Sequence, residues 1–346
     1  MTVAIGFQGP LSGPFAWLGE GLVRAIQDAL AANGSLRLHA VDSAGGAEAA
    51  RAASEELAAD RGVIAVVGPT FSRETEVSAP VLEEAGIPFV LPVATKPELG
   101  ENGWRGFFRV VASDRVRAPL TAELLINELG SHRVAIAHEE GESATRLGTL
   151  LAASLEERGV PAVVTASFQR DAADLGPAVE RLLGATPDAV FFAGECADAA
   201  GLRRKLSEAG VVGVPFVGDD GVRTPAFVEL AGREAAEGAI VVTPSAPCAR
   251  GFDLGFDHGR EPVVFAQEAF VAATLIARLA DADVVDRIGA LEALRGCDDV
   301  VDGLPVAFDE HGENRFQRLY AYRVTEGSWS PWRELALSDH DSRPRA

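Results

Sequence analysis

Two hydroxyl residues, Ser72 and Thr95, are the first candidates for chemistry in this chain of 346 residues. Ser72 follows an apolar run at 63–67, and Thr95 follows a second apolar run at 89–91. The segment between the runs carries apolar residues at helical spacing. The pattern predicts two parallel strands joined by one helix. Both hydroxyls then lie at the carboxyl ends of neighbouring strands, which is where open α/β sheets bind ligands.

Each of these residues also has an explanation that needs no ligand. Ser72 is predicted to be the N-cap of the helix, because its hydroxyl can accept hydrogen bonds from unpaired N–H groups of the first turn. Thr95 lies in a Pro-rich segment and can simply shape a turn. Pro80 is predicted to kink the helix, and Gly86 is predicted to end it.

A longer motif surrounds the two hydroxyls. It reads Gly-Pro-x-x-Ser at 68–72, Gly-Ile-Pro at 86–88 and Pro-x-Ala-Thr-x-Pro-Glu-Leu at 92–99. This order resembles the branched-chain amino-acid-binding (Leu/Ile/Val-binding) proteins of ABC importers, which have the type I periplasmic binding protein fold. The Leu-Ser-Gly-Pro turn at 11–14 and the segment 302–312 are similar to further elements of that family. The resemblance covers nearly the whole chain.

The resemblance implies a set of ligand-binding residues. In the family the serine and the threonine hold the carboxylate and the amino group of the ligand, and an acidic residue of the second lobe holds the α-amino group. Transferred to this sequence, the expected set is Ser72, Val93, Ala94, Thr95, Asp220, Trp17, Leu18, Ser143, Glu195 and Phe265. Ser143 stands where the family often has an aromatic residue, so stacking is not expected there. Without the resemblance, Asp219 and Asp220 read as a solvated Asp-Gly turn, and Trp17 as a packing residue.

Strands alternate with helical segments along most of the chain, which predicts an α/β fold of doubly wound parallel sheets. The series is interrupted near 115, 245 and 318. We therefore expect two doubly wound parallel-sheet lobes joined by three crossovers. The N-terminal lobe is predicted to be 1–115 with 245–317, and the C-terminal lobe to be 116–244 with 318–346. In the second lobe, strands are expected at 133–137, 162–168, 188–192, 215–218, 239–243 and 319–324, and helices at 143–158, 174–185, 198–209 and 225–232. A long helix is expected at 262–279.

Composition excludes several classes of protein. Hydrophobic residues at 47% and charged residues at 24% are ordinary for a globular protein. The sequence contains no run of 18 or more uncharged apolar residues, so it predicts no membrane span. The formal net charge of −20 argues against nucleic-acid binding, which needs a basic surface. The glycine-rich fingerprints of dinucleotide and phosphate loops are absent from the sequence. No cofactor is implied.

Catalysis and metal binding have little support in the residues. Cys196 and His138 each follow a predicted strand, so a Cys–His pair can be imagined. No catalytic signature surrounds Cys196, and a lone cysteine behaves as a small buried hydrophobe. The three cysteines lack metal or redox spacing, and no disulfide framework is expected. Glu139 and Glu140 could be drawn as metal ligands with His138, but consecutive loop carboxylates are usually solvated. We do not expect an enzyme.

The predicted function is that of an extracytoplasmic solute-binding receptor of an ABC importer. Its expected ligand is a small amino acid or a close analogue, bound in the cleft between the lobes by hinge closure. The expected partner is a membrane permease, and the receptor is expected to be a monomer. The first residues read as a strand rather than as a leader, so the resemblance alone favours a periplasmic or cell-surface location. Two alternatives stay open: a cytoplasmic sensor of amides or other small molecules, and a receptor for a carboxylic or aromatic acid on the same fold.

Overall fold

The chain divides into two compact units in a computed structural model that describes residues 3–31, 36–248, 263–282 and 284–336. Unit 1 comprises Met1–Ser113 and Ser245–Gln317, and unit 2 comprises Asp114–Pro244 and Arg318–Ala346. The first passage between the units therefore lies after Ser113, whereas the sequence pattern placed it at 115. The other two passages follow Pro244 and Gln317.

The strands and helices of the described residues alternate along most of the chain. The strands are β1 (Ala4–Gly9), β2 (Arg37–Asp42), β3 (Val63–Val67), β4 (Phe89–Leu91), β5 (Phe107–Arg109), β6 (Val134–Glu139), β7 (Val164–Phe168), β8 (Ala189–Ala193), β9 (Phe216–Gly218), β10 (Ile240–Thr243), β11 (Asp298–Val301), β12 (Leu304–Ala307), β13 (Arg318–Thr325) and β14 (Ser328–Ala336). The helices are α1 (Ala16–Ala31), α2 (Ala47–Ala59), α3 (Ser72–Glu84), α4 (Asp114–Glu123), α5 (Glu142–Glu157), α6 (Gly176–Gly184), α7 (Cys196–Glu208), α8 (Pro225–Ala231), α9 (Arg233–Ala236), α10 (Ala266–Asp281) and α11 (Arg287–Arg295).

Unit 1 is built on a five-stranded sheet in the order β2-β1-β3-β4-β5, in which every neighbouring pair is parallel. Helices α1 and α10 pack on one face through an apolar cluster that includes Leu22 and Ile276. Helices α2 and α3 cover the other face through Leu57 and Leu82. Because both faces are covered, β3 is buried along its whole length. This explains why it reads as a continuous apolar run.

Unit 2 is built on a seven-stranded sheet in the order β14-β13-β10-β9-β8-β6-β7. The strands from β10 to β7 are parallel, while β13 and β14 join the sheet in antiparallel pairing. A row of aromatic rings runs through the unit, with centroids 5.5–6.3 Å apart: Phe168, Phe192, Phe216, Phe227 and Trp329. The predicted α/β class with doubly wound parallel sheets is confirmed, with an antiparallel edge added in unit 2.

Several local predictions were wrong. Ser72 is not the N-cap of α3, because Phe71 occupies that position in extended conformation and Ser72 is the first helical residue. The start of α4, at Asp114, was not predicted from the sequence pattern. The pattern also missed α9, α11, β11, β12 and β14. The long helix predicted from residue 262 begins at Ala266, and residue 262 itself lies outside the described residues.

In the part of the chain that the structure describes, no helix has the combination of length and apolarity needed to cross a membrane.

Candidate functional site

The carboxyl edge of the unit 1 sheet brings Ser72 close to the loop that contains Thr95. Ser72 opens α3 directly after the β3 loop, and its Oγ accepts a hydrogen bond of 3.3 Å from the backbone N–H of Lys96. The Lys96 Nζ lies 2.5 Å from the Glu76 carboxylate on α3. Two contacts therefore connect the loop after β4 to the first turns of α3.

Thr95 has little exposed surface, and its polar groups have no hydrogen-bond partners among the described residues. It is only 9% exposed, and within the described residues no hydrogen bond is formed by its N–H, its carbonyl or its hydroxyl. Buried polar groups are normally paired. The polar groups of Thr95 at the carboxyl edge of the sheet are therefore available to a polar ligand. Val93 and Ala94, which precede it, are 9% and 2% exposed.

Hydrogen bonds to the Glu74 side chain stabilise the first turn of α3. This side chain is 1% exposed, and it accepts hydrogen bonds from the Ser43 hydroxyl at 2.6 Å and from the Phe71 N–H at 3.1 Å. Burial raises the pKa of Glu74 despite these hydrogen bonds. The Phe71 ring also packs edge-on against Phe15, with centroids 5.1 Å apart. These contacts hold the segment that delivers Ser72.

The other predicted site residues of unit 1 differ in their exposure. Trp17 is 42% exposed near the start of α1. Leu18 and Phe265 belong to the apolar core, at 5% and 2% exposure. Phe265 precedes α10 in a left-handed conformation, with φ of 67°, and its N–H donates to the Ser245 hydroxyl at 2.7 Å. Trp17 is therefore the member of this group with substantial accessible surface.

Asp220 in unit 2 follows β9 and already has an internal partner. Its carboxylate lies 2.5 Å from Nη2 of Arg117 on α4. Arg117 is 4% exposed, and it also donates to the Val242 carbonyl at 3.1 Å and lies 3.7 Å from Asp114. The reading of Asp219 and Asp220 as a solvated turn is wrong, since both are only partly exposed and both act electrostatically on Arg117.

Glu195 follows β8 at the same edge, one residue before α7. Its N–H donates to Glu139 at 2.5 Å, and its carboxylate lies 3.5 Å from Arg170. Glu139 is 1% exposed and accepts a 2.7 Å hydrogen bond from Arg170. The prediction that Glu139 is a solvated loop carboxylate is therefore wrong, since Glu139 is the last residue of β6 and anchors the loop that carries Glu195.

Two glycines allow the acidic loops to approach each other. A Cβ at Gly221 would lie 2.3 Å from the Gly194 carbonyl oxygen, a distance that real side chains do not reach. A Cβ at Gly194 would lie 2.6 Å from the Glu139 carboxylate, and Gly194 has φ of +149°. Side chains at these positions would push Asp220 and Glu195 apart.

The acidic edge of unit 2 is formed by Asp219, Asp220 and Glu195, and its surroundings disfavour the ionised form of two of these carboxylates. Burial raises the pKa of Asp219 well above its usual value, the charge of Asp220 raises it further, and Arg117 opposes the rise. Burial also raises the pKa of Glu195 to about 7, against the opposing charge of Arg170. At both carboxylates the effect of burial thus outweighs that of the nearby arginine, and a cation bound here would favour the ionised forms.

The remaining predicted residues of unit 2 do not support other chemistry. Ser143 is exposed in the first turn of α5 and accepts a 3.4 Å hydrogen bond from Arg146. Cys196 and His138 have separate partners, the Thr224 hydroxyl at 3.0 Å and the Glu139 carbonyl at 2.9 Å. Burial raises the pKa of the Cys196 thiol, which disfavours a nucleophilic thiolate. The described residues hold no cluster of three or more potential metal ligands.

Sequence reasoning missed Arg117, the central cation of this edge. One signal was present: Asp114 and Arg117 are three residues apart, as an ion pair on a helix requires. The segment was read as a crossover, so the spacing was not used. The contact from Arg117 to Asp220 joins residues far apart in the chain and has no local signature.

A parallel sheet in each unit, with polar side chains gathered at its carboxyl edge, defines a two-unit α/β protein equipped to bind a small ligand. The profile of the periplasmic binding protein family matches residues 2–328, and the chain belongs to that family.

Two relatives come from Pseudomonas aeruginosa. An amino acid binding protein is 30% identical over 238 residues, which are 66% of this chain and 63% of that protein. A leucine-, isoleucine-, valine-, threonine- and alanine-binding protein is 26% identical over 327 residues, which are 90% of this chain and 87% of that protein. The resemblance to the Leu/Ile/Val-binding proteins that the sequence motifs predicted is confirmed.

Solved structures show the same fold. A leucine-binding protein from Thermotoga maritima superimposes with a TM-score of 0.83 at 22% identity, over 96% of this chain and 99% of that one. A solute-binding protein of an ABC transporter from Rhodopseudomonas palustris, in complex with p-hydroxybenzoic acid, has a TM-score of 0.81 at 21% identity, over 97% of this chain and 96% of that one. Proteins of this fold thus include binders of both amino acids and an aromatic acid.

Proposed function

We propose that this protein is the solute-binding receptor of an ABC importer and that its ligand is an α-amino acid. The observation that carries the choice of ligand is the acidic edge of unit 2. Asp219 and Asp220 share Arg117, and Glu195 has a pKa raised to about 7. An α-ammonium group supplies the positive charge that these carboxylates lack. An aromatic acid such as p-hydroxybenzoate would bring a further negative charge instead.

Unit 1 is suited to the other end of the same ligand. The unpaired N–H and hydroxyl of Thr95 and the hydroxyl of Ser72 offer donors for a carboxylate. The first turn of α3 adds free N–H groups and the positive end of the helix dipole. The Val93 carbonyl is a further acceptor for the ammonium. One unit thus offers donors and the other offers negative charge, which matches the two ends of a zwitterion.

The proposed mechanism has two steps. Unit 1 binds the carboxylate, and unit 2 then meets the ammonium as the two units close on the ligand. The closed form is the one that the membrane permease recognises, since a transporter must distinguish loaded from empty receptors. We propose a monomeric receptor acting outside the cytoplasmic membrane, in accordance with its family.

A thermal-shift screen tests the proposal. The probes are the twenty standard amino acids, p-hydroxybenzoate and acetamide, each at millimolar concentration. A ligand at about 100 times its Kd adds about 2.7 kcal/mol to the free energy of unfolding, which gives a measurable rise in melting temperature. We expect the rise with one or a few amino acids. A rise with p-hydroxybenzoate alone would instead identify an aromatic-acid receptor, and a rise with acetamide alone would identify an amide sensor.

Calorimetry then compares the amino acid that gives the largest shift with its des-amino analogue, for example L-leucine with 4-methylpentanoate. The analogue keeps the carboxylate and lacks the ammonium. We expect it to bind more weakly by about ten- to a hundredfold, the value of one charge-assisted hydrogen bond. Tighter binding of the des-amino compound would contradict the proposed ligand class.

A further inference from the structure

Arg109 is a fully buried cation directly below the loop that carries Thr95. It ends β5 and is 0% exposed. Its Nε and Nη2 both donate to the carboxylate of Glu313, with the Nε–Oε2 distance at 2.9 Å. Its Nη1 donates to two backbone carbonyls, Ala94 at 3.3 Å and Lys96 at 2.7 Å. The guanidinium therefore joins Glu313 to the carbonyls on either side of Thr95.

This arrangement dictates where the Thr95 N–H points. In a trans peptide the carbonyl of one residue and the N–H of the next point in opposite directions. The Ala94 carbonyl faces Arg109, so the Thr95 N–H faces away from the guanidinium. Within the described residues this N–H has no hydrogen-bond acceptor, although Thr95 is only 9% exposed. Arg109 thus orients the Thr95 N–H so that it has no acceptor among the described residues.

We propose that Arg109 is a positioning residue for recognition of the ligand carboxylate. Its fork fixes the peptide plane before Thr95 so that the N–H is aimed at the carboxylate without reorganisation on binding. Glu313 orients the fork and balances its charge. This inference rests on the proposed function, because it assigns the Thr95 N–H to the carboxylate of an amino acid.

The chemistry explains why arginine is required here. One guanidinium offers five N–H donors in a rigid plane, which suffices for a bidentate carboxylate and two carbonyls at once. A lysine at this position would keep the positive charge, but its compact ammonium could not span Glu313 and both carbonyls. Arg109→Lys therefore removes the planar set of guanidinium donors while it keeps the positive charge.

Unit 1 contains a matched control in Arg287, a second guanidinium bound to backbone carbonyls. It donates to the carbonyls of Val63, Ala85, Ala58 and Asp60 at 2.9–3.1 Å. Val63 begins β3 and Ala85 follows α3, so these contacts lie at the amino edge of the sheet, opposite Thr95. Loss of the Arg287 fork should lower stability without altering the carboxylate site.

The experiment measures two ligands against four proteins: wild type, Arg109→Lys, Arg109→Met and Arg287→Lys. The ligands are the amino acid with the largest thermal shift and its primary amide, in which a neutral group replaces the carboxylate. Calorimetry gives the affinities, and thermal unfolding shows which variants are folded. We expect both Arg109 variants to bind the amino acid about ten- to a hundredfold more weakly and the amide less than about threefold more weakly. Arg287→Lys should keep wild-type affinity for both.

The outcomes separate this inference from the proposed function. Wild-type affinity of Arg109→Lys for the amino acid would overturn the inference alone, and so would an equal loss for the acid and the amide. An equal loss in Arg287→Lys would show that the effect reflects general stability, which also overturns it. If Arg109→Met does not fold, the Arg109→Lys comparison decides. Failure of every amino acid to bind the wild type would overturn the proposed function, and the inference with it.

Discussion

At the scale of single residues, Asp220 shows how an internal cation changes the role expected for a ligand-binding carboxylate. The sequence resemblance implied that Asp220 binds the ammonium of the ligand, but in the structure its carboxylate lies 2.5 Å from Arg117. The nearby Asp219 is only partly exposed, and burial raises its pKa. The ammonium of the proposed amino-acid ligand would therefore join an existing network in which several carboxylates act on the Arg117 guanidinium.

Replacement of Asp220 tests this network. Asp220→Asn should weaken binding of the amino acid by about ten- to a hundredfold, because a charge-assisted hydrogen bond becomes a neutral one. It should also lower the free energy of unfolding, because Arg117 is buried and loses its nearest anion. Calorimetry measures the first effect and urea denaturation the second. Loss of stability with unchanged affinity would show that Asp220 serves Arg117 alone.

The raised pKa of Glu195 predicts a pH dependence of binding. With a pKa of about 7 in the free protein, this carboxyl group is largely protonated at pH 6 and largely ionised at pH 8. An ammonium prefers the ionised form, so affinity for the amino acid should fall as the pH is lowered from 8 to 6. Calorimetry at several pH values measures the change, and Glu195→Gln should flatten it. A wild-type affinity that is constant across this range would contradict the contact.

The raised pKa of Glu195 affects the stability of the free protein in the opposite direction: affinity should fall as the pH is lowered, whereas the stability contribution of this group should rise. The folded pKa lies above the ordinary value of 4.5, so the folded state binds this proton more tightly than the unfolded state does. The contribution of the proton to stability is complete below about pH 4.5 and is lost as the pH rises through 7. Since the Glu195 side chain is 41% exposed, solvent reduces the effect.

At the scale of elements, we expect different residues at the start of α3 to contribute to stability and to ligand binding. Ser72 is the first helical residue and makes no capping hydrogen bond, whereas Glu74 accepts from Ser43 and Phe71. Ser72→Ala removes only the 3.3 Å hydrogen bond from the Lys96 N–H and should therefore lower the free energy of unfolding by about 0.5–1.5 kcal/mol, and it should also weaken binding of the amino acid. Glu74→Ala should cost about 1.5–3 kcal/mol, because it removes two hydrogen bonds to a buried carboxylate. Urea denaturation and calorimetry give the two quantities, and a loss of stability in Ser72→Ala as large as that in Glu74→Ala would contradict this division.

The elements that the sequence predicted best are those whose burial is continuous. Strands β3 and β4 have the predicted bounds because both are apolar runs closed by Gly and Pro. The start of α4 was missed because its polar residues, Asp114 and Arg117, are buried by pairing with each other and with Asp220. Apolar periodicity cannot reveal a helix that is buried through ion pairs. Strand β14 was missed because much of it is exposed at the edge of its sheet.

The candidate site was predictable only where a local motif carries it. Ser72 and Thr95 are placed by strand ends within a single β–α–β segment. Arg109 and Glu313 are 204 residues apart in the sequence. Four β-strands, β6 to β9, lie between Arg117 and Asp220 along the chain. The unpaired state of Thr95 and the raised pKa values of Asp219 and Glu195 depend on such distant partners. They become visible only when the chain is folded.

At the scale of the whole molecule, the division of the chain predicts a change of size on binding. The chain passes between the two units after Ser113, Pro244 and Gln317, and the proposed closure requires hinge motion at these passages. If the donors of unit 1 and the carboxylates of unit 2 engage the same amino acid, the ligand-bound protein must be more compact than the free protein. Small-angle scattering should show a lower radius of gyration with saturating amino acid.

The scattering experiment needs protein that is free of co-purified ligand, obtained by unfolding in guanidinium chloride, dialysis and refolding. Asp220→Asn provides the control, because at a concentration that saturates only the wild type it should keep the larger radius. Raising the amino acid to saturate Asp220→Asn should then reduce its radius as well, since the variant weakens the contact with unit 2 without removing the hinge. Identical scattering of free and saturated wild-type protein would refute closure, while the binding measurements would still stand. The receptor would then hold its ligand by preformed contacts, and the permease would have to recognise the loaded state without a change in the arrangement of the units.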